Sequence, residues 1–168
     1  VLRNFIRDGK SLKLPKNKMK SLSIEYSCPE WLIEKWMNEY GEDSITTLLE
    51  STVRKPSITV RANTIKVNAE QLVEIFANEE IEASINENIT NCLDIDKCGS
   101  IELKESFKNG YFHVQDFSSQ LCCLALSPKK GDIVLDLCAA PGGKSFTLAE
   151  LMENNGELYA FDLHEKRV

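Results

Sequence analysis

The chain has 168 residues, of which 42% are hydrophobic and 8% aromatic, and its formal charge is −6. This composition is typical of a packed globular protein and excludes a disordered one. No run of about 18 apolar residues and no signal peptide occurs, so we expect no membrane span and a location in the cytoplasm. The two histidines are isolated and the six cysteines form no C-x-x-C pair, so we expect no metal site.

Basic residues are concentrated at the start of the chain. A helix that stops at Gly9 is predicted there, followed by a basic linker over residues 10–23. A basic segment on an acidic body can mark a contact with nucleic acid, and a solvated linker explains the same pattern equally well. The first twenty residues hold one acid, Asp8, against seven basic residues: Arg3, Arg7, Lys10, Lys13, Lys16, Lys18 and Lys20.

Two further helices are predicted in this first third of the chain. One covers residues 27–41, with Pro29 in its first turn, and a shorter one covers residues 42–52. We expect Asp43 or Ser44 to cap the shorter helix, and Trp31 and Trp36 to lie in the core.

The hydrophobic pattern changes to a period of two after Pro56, which predicts a small α+β subdomain over residues 56–115. Its outline resembles an RNA-recognition module. It lacks the aromatic signature with which such modules stack bases, so it predicts a fold and not RNA binding. The predicted elements are a helix over 68–80 capped by Asn68, and strands at 57–65, 81–86, 92–96, 101–106 and 110–116.

Residues 116–168 are predicted to begin a doubly wound α/β domain. Two apolar runs of strand length, 133–138 and 157–162, flank a predicted helix over 142–154, which is a β-loop-α-β unit. An apolar helix over 118–127 precedes them. We expect Ser118 or Ser119 to cap that helix and Cys122 and Cys123 to be small core residues.

The loop of this unit, "LDLCAAPGGKS", ends like a phosphate-binding P-loop. That motif requires glycine at position 138, where the chain has cysteine. Pro141 also removes one backbone N–H from any phosphate cradle, and no G-x-G-x-x-G fingerprint is present. Both phosphate-binding hypotheses therefore fail on specific residues, and a nucleotide triphosphatase is disfavoured.

S-adenosylmethionine suits the same loop better, because it carries no phosphate. Asp136 ends the first strand and can place negative charge near the sulfonium, and Asp162 ends the second and can accept both ribose hydroxyls. Small residues between them let the backbone approach the ligand closely. A methyltransferase is the favoured hypothesis, and a structural turn in an unrelated α/β enzyme is the alternative.

The segment "DLCAAPGGKS" closely resembles the cofactor motif of the NOL/NOP/Sun family of RNA 5-methylcytosine methyltransferases. The segments "GYFHVQDFSSQL", "YSCPEWLIEKWMNEYG" and "SITVRAN" are similar to its bacterial Sun-type (Fmu) branch. "VLRNFIR" resembles the last helix of the NusB-like RNA-binding domain of that branch. The branch usually has histidine in place of Cys28 and valine in place of Ala62. The resemblance implies that residues 1–20 end a NusB-like domain, that 21–55 form a helical linker region, and that 116–168 begin a Rossmann-like methyltransferase domain.

The resemblance also implies a function, which is methyl transfer from S-adenosylmethionine to C5 of one cytosine in 16S ribosomal RNA. Gln115, Asp116 and Ser119 are expected to shape the neighbouring pocket. Arg61 and Asn63 are expected to contact RNA or to brace the two subdomains, with bracing favoured. The expected cofactor-binding residues are Cys138, Ala139, Ala140, Pro141, Gly142, Gly143, Lys144 and Asp162.

No catalytic residue is assigned within the chain. C5 of cytosine is a poor nucleophile until a thiolate adds at C6, and the family supplies that thiolate beside Pro-Cys and Thr-Cys motifs, which are absent here. Because the chain begins with Val1 and ends without a stop signal, we expect a fragment that is inactive alone and binds cofactor weakly. Its exposed sheet is expected to self-associate or to leave the tail poorly ordered. The alternative is a non-catalytic RNA-binding or ribosome-assembly module with a vestigial cofactor loop.

Overall fold

The computed structural model describes residues 2–7, 9, 14–163 and 167. The chain divides into two compact units, Val1–Pro56 and Ser57–Val168. The four-part domain division expected from the sequence stays a prediction.

The first unit is helical. The predicted linker after Gly9 is partly wrong, because the Asn17 side chain accepts a hydrogen bond from Lys20 N at 3.0 Å and begins a helix there. Residues 10–13 of that linker lie outside the described residues. The helices are α1 (Leu2–Arg7), α2 (Lys18–Glu25), α3 (Glu30–Tyr40) and α4 (Glu42–Val53).

Two side-chain predictions for this unit are wrong. Trp31 is 65% exposed, because it lies two residues from the buried Ile33 and therefore points to the opposite side of α3; Trp36, by contrast, packs against the core. α4 begins directly after Gly41, whose φ of +84° ends α3, so neither Asp43 nor Ser44 is its cap. The buried core residues are Cys28, Ile33, Ile45 and Leu49.

The second unit begins with a four-stranded antiparallel sheet, in which the strands lie in the order β2 (Glu82–Ile85), β3 (Cys92–Lys97), β1 (Ile58–Ala62) and β4 (Phe112–Val114). The chain order β-α-β-β-α-β with this strand order is that of a ferredoxin-like fold. The Asn68 cap is confirmed, since Asn68 and Gln71 form a reciprocal capping box. The elements are β1 (Ile58–Ala62), α5 (Ala69–Asn78), β2 (Glu82–Ile85), β3 (Cys92–Lys97), a 3₁₀ turn (Ile101–Leu103), α6 (Glu105–Lys108) and β4 (Phe112–Val114).

The strand predicted over residues 101–106 is wrong, because this segment is helical. The carboxylate of Glu79 accepts hydrogen bonds from Ser106 N at 2.8 Å and from Ser106 Oγ at 2.7 Å. Glu79 thus satisfies a backbone donor in the first turn of α6 from 27 residues away. A tertiary contact therefore overrides the local strand pattern.

The unit ends in two parallel strands and two helices, which confirms the predicted β-loop-α-β order. Leu135 lies opposite Tyr159 in the parallel pair. Asp136, at the end of the first strand, leads into the loop. The elements are α7 (Phe117–Leu126), β5 (Ile133–Asp136), α8 (Gly143–Leu151) and β6 (Glu157–Ala160).

Two predictions for α7 are corrected. Its N-terminal cap is Asp116, whose carboxylate accepts a hydrogen bond from Ser118 N at 3.0 Å. The prediction that Ser118 or Ser119 caps this helix is therefore wrong. Cys123 is buried as predicted, whereas Cys122 is exposed. Adjacent residues on a helix point about 100° apart, so both thiols cannot face the same core.

The two-stranded sheet leaves apolar side chains open. Leu135 is 61% exposed, and Ile133, Leu137, Tyr159 and Phe161 are also exposed. A parallel strand is normally covered on both faces and paired at both edges. Within the described residues, no helix is long and apolar enough to cross a membrane.

We predict that the 168-residue chain self-associates through this open face. Sedimentation velocity should show a sedimentation coefficient that rises with protein concentration. Leu135→Ser should weaken the association, whereas Ile65→Ser, at a comparably exposed residue away from these strands, should leave it unchanged. A compact monomer at every concentration, or equal behaviour of the two variants, would contradict the prediction.

Candidate cofactor site

The site lies where the two parallel strands end. Phe161 N donates to Asp136 O at 2.7 Å, and Ala139 N donates to Phe161 O at 2.8 Å. These bonds hold the loop after β5 against the end of β6. Ligands of open α/β sheets bind at such carboxyl ends of strands.

Asp136 closes the loop on itself. Its Oδ2 accepts from Ser145 Oγ at 2.7 Å and its Oδ1 accepts from Cys138 N at 3.2 Å. The carboxylate therefore joins the strand end to both the loop and the first turn of α8. The carboxylate lies beside the loop, where sequence reasoning expected it, and it also has a bracing role that the sequence did not predict.

Asp162 lies against the loop with only 5% of its side chain exposed. Its Oδ2 accepts from Ala140 N at 3.1 Å. Arg167 was missed by sequence reasoning, since a single arginine five residues later carries no pattern. Its Nη1 is 3.9 Å from Asp162 Oδ1, and its Nη2 donates to Ala140 O at 3.5 Å.

Gly142 and Gly143 form the junction between loop and helix. Gly142 has a φ of +99°, and a Cβ there would lie 3.2 Å from the ring of Phe146, so glycine suits the position on both counts. α8 starts at Gly143 without a side-chain cap. Its first backbone N–H groups therefore remain available as donors, at the positive end of the helix dipole.

A cavity of about 210 Å³ brings most of the predicted residues together. It is smaller than a whole small-molecule site of about 300–1,000 Å³, so it fits part of such a ligand. Asp162 and Gly142 lie outside its lining. The loop residues that line it are Cys138, Ala139, Ala140 and Pro141, and the first two residues of α8, Gly143 and Lys144, line it as well. The remaining lining residues are Val114 at the end of β4 and the three that sequence reasoning placed beside the pocket, Gln115, Asp116 and Ser119.

Asp116 keeps a negative charge at this cavity. The hydrogen bond from the Ser118 hydroxyl, followed by that from Ser118 N, lowers the pKa of its carboxyl below the ordinary value. The carboxylate is therefore ionised at neutral pH and can pair with a positive group of a ligand, while Lys144 places a cationic side chain in the same lining.

A second cavity, of about 660 Å³, adjoins the first and shares Cys138 and Lys144 with it. Its other walls are mainly apolar and come from α7 and β5. Sequence reasoning did not predict this cavity. The unbroken apolar run of β5 was the available signal, because such a strand normally has both of its faces covered. Cys122, Cys123 and Leu135 are among its lining residues.

Arg61 braces the two halves of this unit, as favoured from the sequence. Its Nε and Nη2 donate to Glu150 Oε2 and Oε1 of α8 at 3.0 and 2.7 Å, and its Nη1 donates to Thr90 O at 3.3 Å. Thr64 Oγ1 also donates to Glu150 Oε1, at 2.9 Å. Asn63 is a local brace, since its Nδ2 donates to Gly110 O at 2.9 Å.

Two family models match the chain. The ferredoxin-like domain of the RsmF/B-like methyltransferases matches residues 28–102, and the 16S rRNA methyltransferase RsmB/F model matches residues 123–168. The chain belongs to the RsmB/F methyltransferase family. This confirms the resemblance to the Sun-type branch. The fold prediction is confirmed as well, both by the ferredoxin-like match and by the solved structures that the chain resembles.

Relatives of this RsmB/F chain align over most or all of its length. It is 37% identical to a probable ribosomal RNA small subunit methyltransferase B of Bacillus subtilis, over 100% of this chain and 38% of that protein. It is 29% identical to a human 28S rRNA (cytosine(4447)-C(5))-methyltransferase, over 100% of this chain and 21% of that protein. A solved methyltransferase homologue from Pyrococcus horikoshii is 28% identical with a TM-score of 0.79, over 91% of this chain and 50% of that one. The chain thus spans a third to two fifths of the first curated relatives.

No group of three or more His, Cys, Asp or Glu residues that could hold a metal ion occurs among the described residues. The six cysteines are all unpaired thiols. Burial raises the pKa of Cys92 to about 11, with the nearby Asp94 as a second cause, and burial also raises the pKa of Cys123. Neither thiol forms a thiolate readily at neutral pH.

Proposed function

We propose that the chain supplies the cofactor-binding part of an S-adenosylmethionine-dependent methyltransferase that acts on C5 of a cytosine in 16S ribosomal RNA in the cytoplasm. The observation that carries the proposal is the loop cavity at the ends of β5 and β6, with the ionised Asp116 in its lining and with Cys138 at the position where a P-loop requires glycine. The names of the bacterial relatives support the small ribosomal subunit as the source of the RNA. The human relative's name supports cytosine C5 as the position.

The loop residues suit the cofactor's charges. S-adenosylmethionine supplies an electrophilic methyl group on a positively charged sulfonium. Asp136 and Asp116 place carboxylates near the loop, which favour positive charge. The N–H groups that begin α8 can donate to the carboxylate of the methionine part. Asp162 is proposed to accept from the ribose hydroxyls, and residues 138–144 to contact the remainder.

The nucleophilic thiolate is proposed to come from outside the 168 residues. Cys122 and Cys138 are exposed, but the first lies on α7 and the second in the cofactor loop itself. Cys92, in the ferredoxin-like sheet, is fully buried. The target cytosine must also leave its base stack to be reached, which requires an RNA-binding surface beside the pocket.

Calorimetry with S-adenosylhomocysteine tests the proposal, using the protein at its natural length. Asp162→Ala should weaken binding by about 1.5–3 kcal/mol, because a charge-assisted pair of hydrogen bonds is lost. Asp96→Ala is the matched control, since Asp96 is an exposed acid on β3 outside the cofactor cavity. Unchanged affinity in Asp162→Ala would remove Asp162 from the site. Absence of binding by the wild type would favour a non-catalytic module with a vestigial loop.

A further inference from the structure

A buried chain of polar side chains links β4 to α8. Thr147 is fully buried and Gln115 is 6% exposed. Thr147 Oγ1 lies 2.7 Å from Gln115 Oε1, 3.1 Å from Gly143 O and 3.3 Å from His113 Nε2. Burial lowers the pKa of His113 below its ordinary value, so its ring is neutral at pH 7.

The hydrogen-bond accounting makes Thr147 a bridge. A hydroxyl has one proton, so it cannot donate to both Gln115 Oε1 and Gly143 O. Gln115 Nε2 has no partner within the described part of the chain. Turning the Gln115 amide over lets Nε2 donate to Thr147 Oγ1 while the hydroxyl proton goes to Gly143 O. The amide oxygen then takes the place of Nε2, the buried atom that has no partner within the described part of the chain.

Each end of this bridge is anchored. Gln115 N donates to Thr59 O of the neighbouring strand β1 at 3.1 Å, and Gln115 O accepts from Gln120 Nε2 of α7 at 3.1 Å. Gly143, at the other end, is the first residue of α8 and lines the cofactor cavity, as does Gln115. A Cβ at Gly143 would lie 3.7 Å from Gln115 Nε2, so the loop packs directly on this amide.

Satisfying buried polar groups could be the whole purpose of these contacts, since unsatisfied ones are costly. The location argues for more. The contact from Thr147 Oγ1 ends on the carbonyl of Gly143, the residue at which the cofactor loop ends and α8 begins. The contact therefore acts on the same first turn of α8 that Ser145 Oγ holds to Asp136, and Gly143 and Lys144 of that turn line the cavity.

We propose that Thr147 and Gln115 are positioning residues that hold the first turn of α8, and with it the cofactor loop, against the ferredoxin-like sheet. Thr147 does not line the cofactor cavity, so it does not touch the ligand itself. It connects the sheet to the first turn of α8, and through that turn the sheet sets the geometry of the cofactor site. This inference rests on the proposed function for its ligand, and it deepens that function by assigning the ferredoxin-like subdomain a part in the cofactor site.

The experiment compares Thr147→Val with Thr147→Ser in the protein at its natural length. The valine variant keeps the shape and loses the hydroxyl, and the serine variant keeps the hydroxyl. Binding of S-adenosylhomocysteine should weaken about three- to tenfold in Thr147→Val, as expected for one lost hydrogen bond, and should return to within about twofold of wild type in Thr147→Ser. Ser106→Ala is the stability control, because it removes a buried hydroxyl contact to Glu79 outside the cofactor cavity.

A ligand-free readout separates this inference from the proposed function. Amide hydrogen exchange over residues 139–145 should be faster in Thr147→Val than in Thr147→Ser or Ser106→Ala. Exchange in Thr147→Val equal to that of the control would overturn the positioning role. Affinity that falls equally in Thr147→Val and Ser106→Ala would also overturn it. If the wild type binds no S-adenosylhomocysteine, the proposed function fails while the exchange comparison still decides the positioning role.

Discussion

Arg61→Ala is expected to lower the free energy of unfolding by about 3–5 kcal/mol, because it leaves a buried carboxylate without a compensating cation. Arg61 and Glu150 are 2% and 4% exposed and form two charge-assisted hydrogen bonds. The pair also joins β1 to α8, so its loss should loosen the attachment of the helix that follows the cofactor loop. Equilibrium denaturation in urea measures the change.

Two controls define the interpretation of that result. Lys97→Ala breaks an exposed pair with Glu82 and should cost about 0–1 kcal/mol. The double variant Arg61→Met with Glu150→Leu removes both charges and should recover much of the loss, since well-packed apolar residues can replace a buried pair. A cost for Arg61→Ala no larger than that for Lys97→Ala would show that the pair does not brace the unit.

The second large effect concerns catalysis. The 168-residue chain is expected to transfer no methyl group to unmodified 16S ribosomal RNA, because the thiolate that attacks C6 of the cytosine is proposed to lie outside it. Without that covalent step C5 stays a poor nucleophile. Cys138 lines the proposed cofactor cavity, but it does so as part of the loop that is proposed to hold the ligand.

Transfer of a radiolabelled methyl group from S-adenosylmethionine to the RNA measures this directly. The matched control is the protein at its natural length under the same conditions, which should label the RNA. Any labelled 5-methylcytosine produced by the chain alone would contradict the assignment of the nucleophile to residues outside it. Loss of that labelling in Cys138→Ser would identify Cys138 as the nucleophile.

The β-loop-α-β unit was predictable because its signals are local. Two apolar runs of strand length, a loop of small residues and an acid at each strand end together specify the unit and the place of its site. The cap at Asn68 was predictable for the same reason, since a capping box lies within four consecutive residues. Residues 138–144 needed only their own sequence for Cys138 and Pro141 to be recognised as departures from a P-loop.

Features that depend on distant partners were not predictable. The segment 101–106 alternates like a strand, and Glu79 makes it helical from 27 residues away. The contact between Arg61 and Glu150 joins residues that are 89 positions apart in the sequence. The sequence could therefore predict a bracing role for Arg61 but could not identify Glu150 as its partner. The exposure of Trp31 depends on which side of α3 packs on α4, and composition alone cannot choose that side.

Isothermal titration of the protein at its natural length with S-adenosylhomocysteine and, separately, with ATP tests the central claim most directly. The claim is that the crevice above β5 and β6 takes a sulfonium methyl donor and not a triphosphate. We expect saturable binding of S-adenosylhomocysteine that is weakened by Asp162→Ala, and no competition by ATP. Binding of ATP that excludes S-adenosylhomocysteine and is lost in Lys144→Ala would contradict the account.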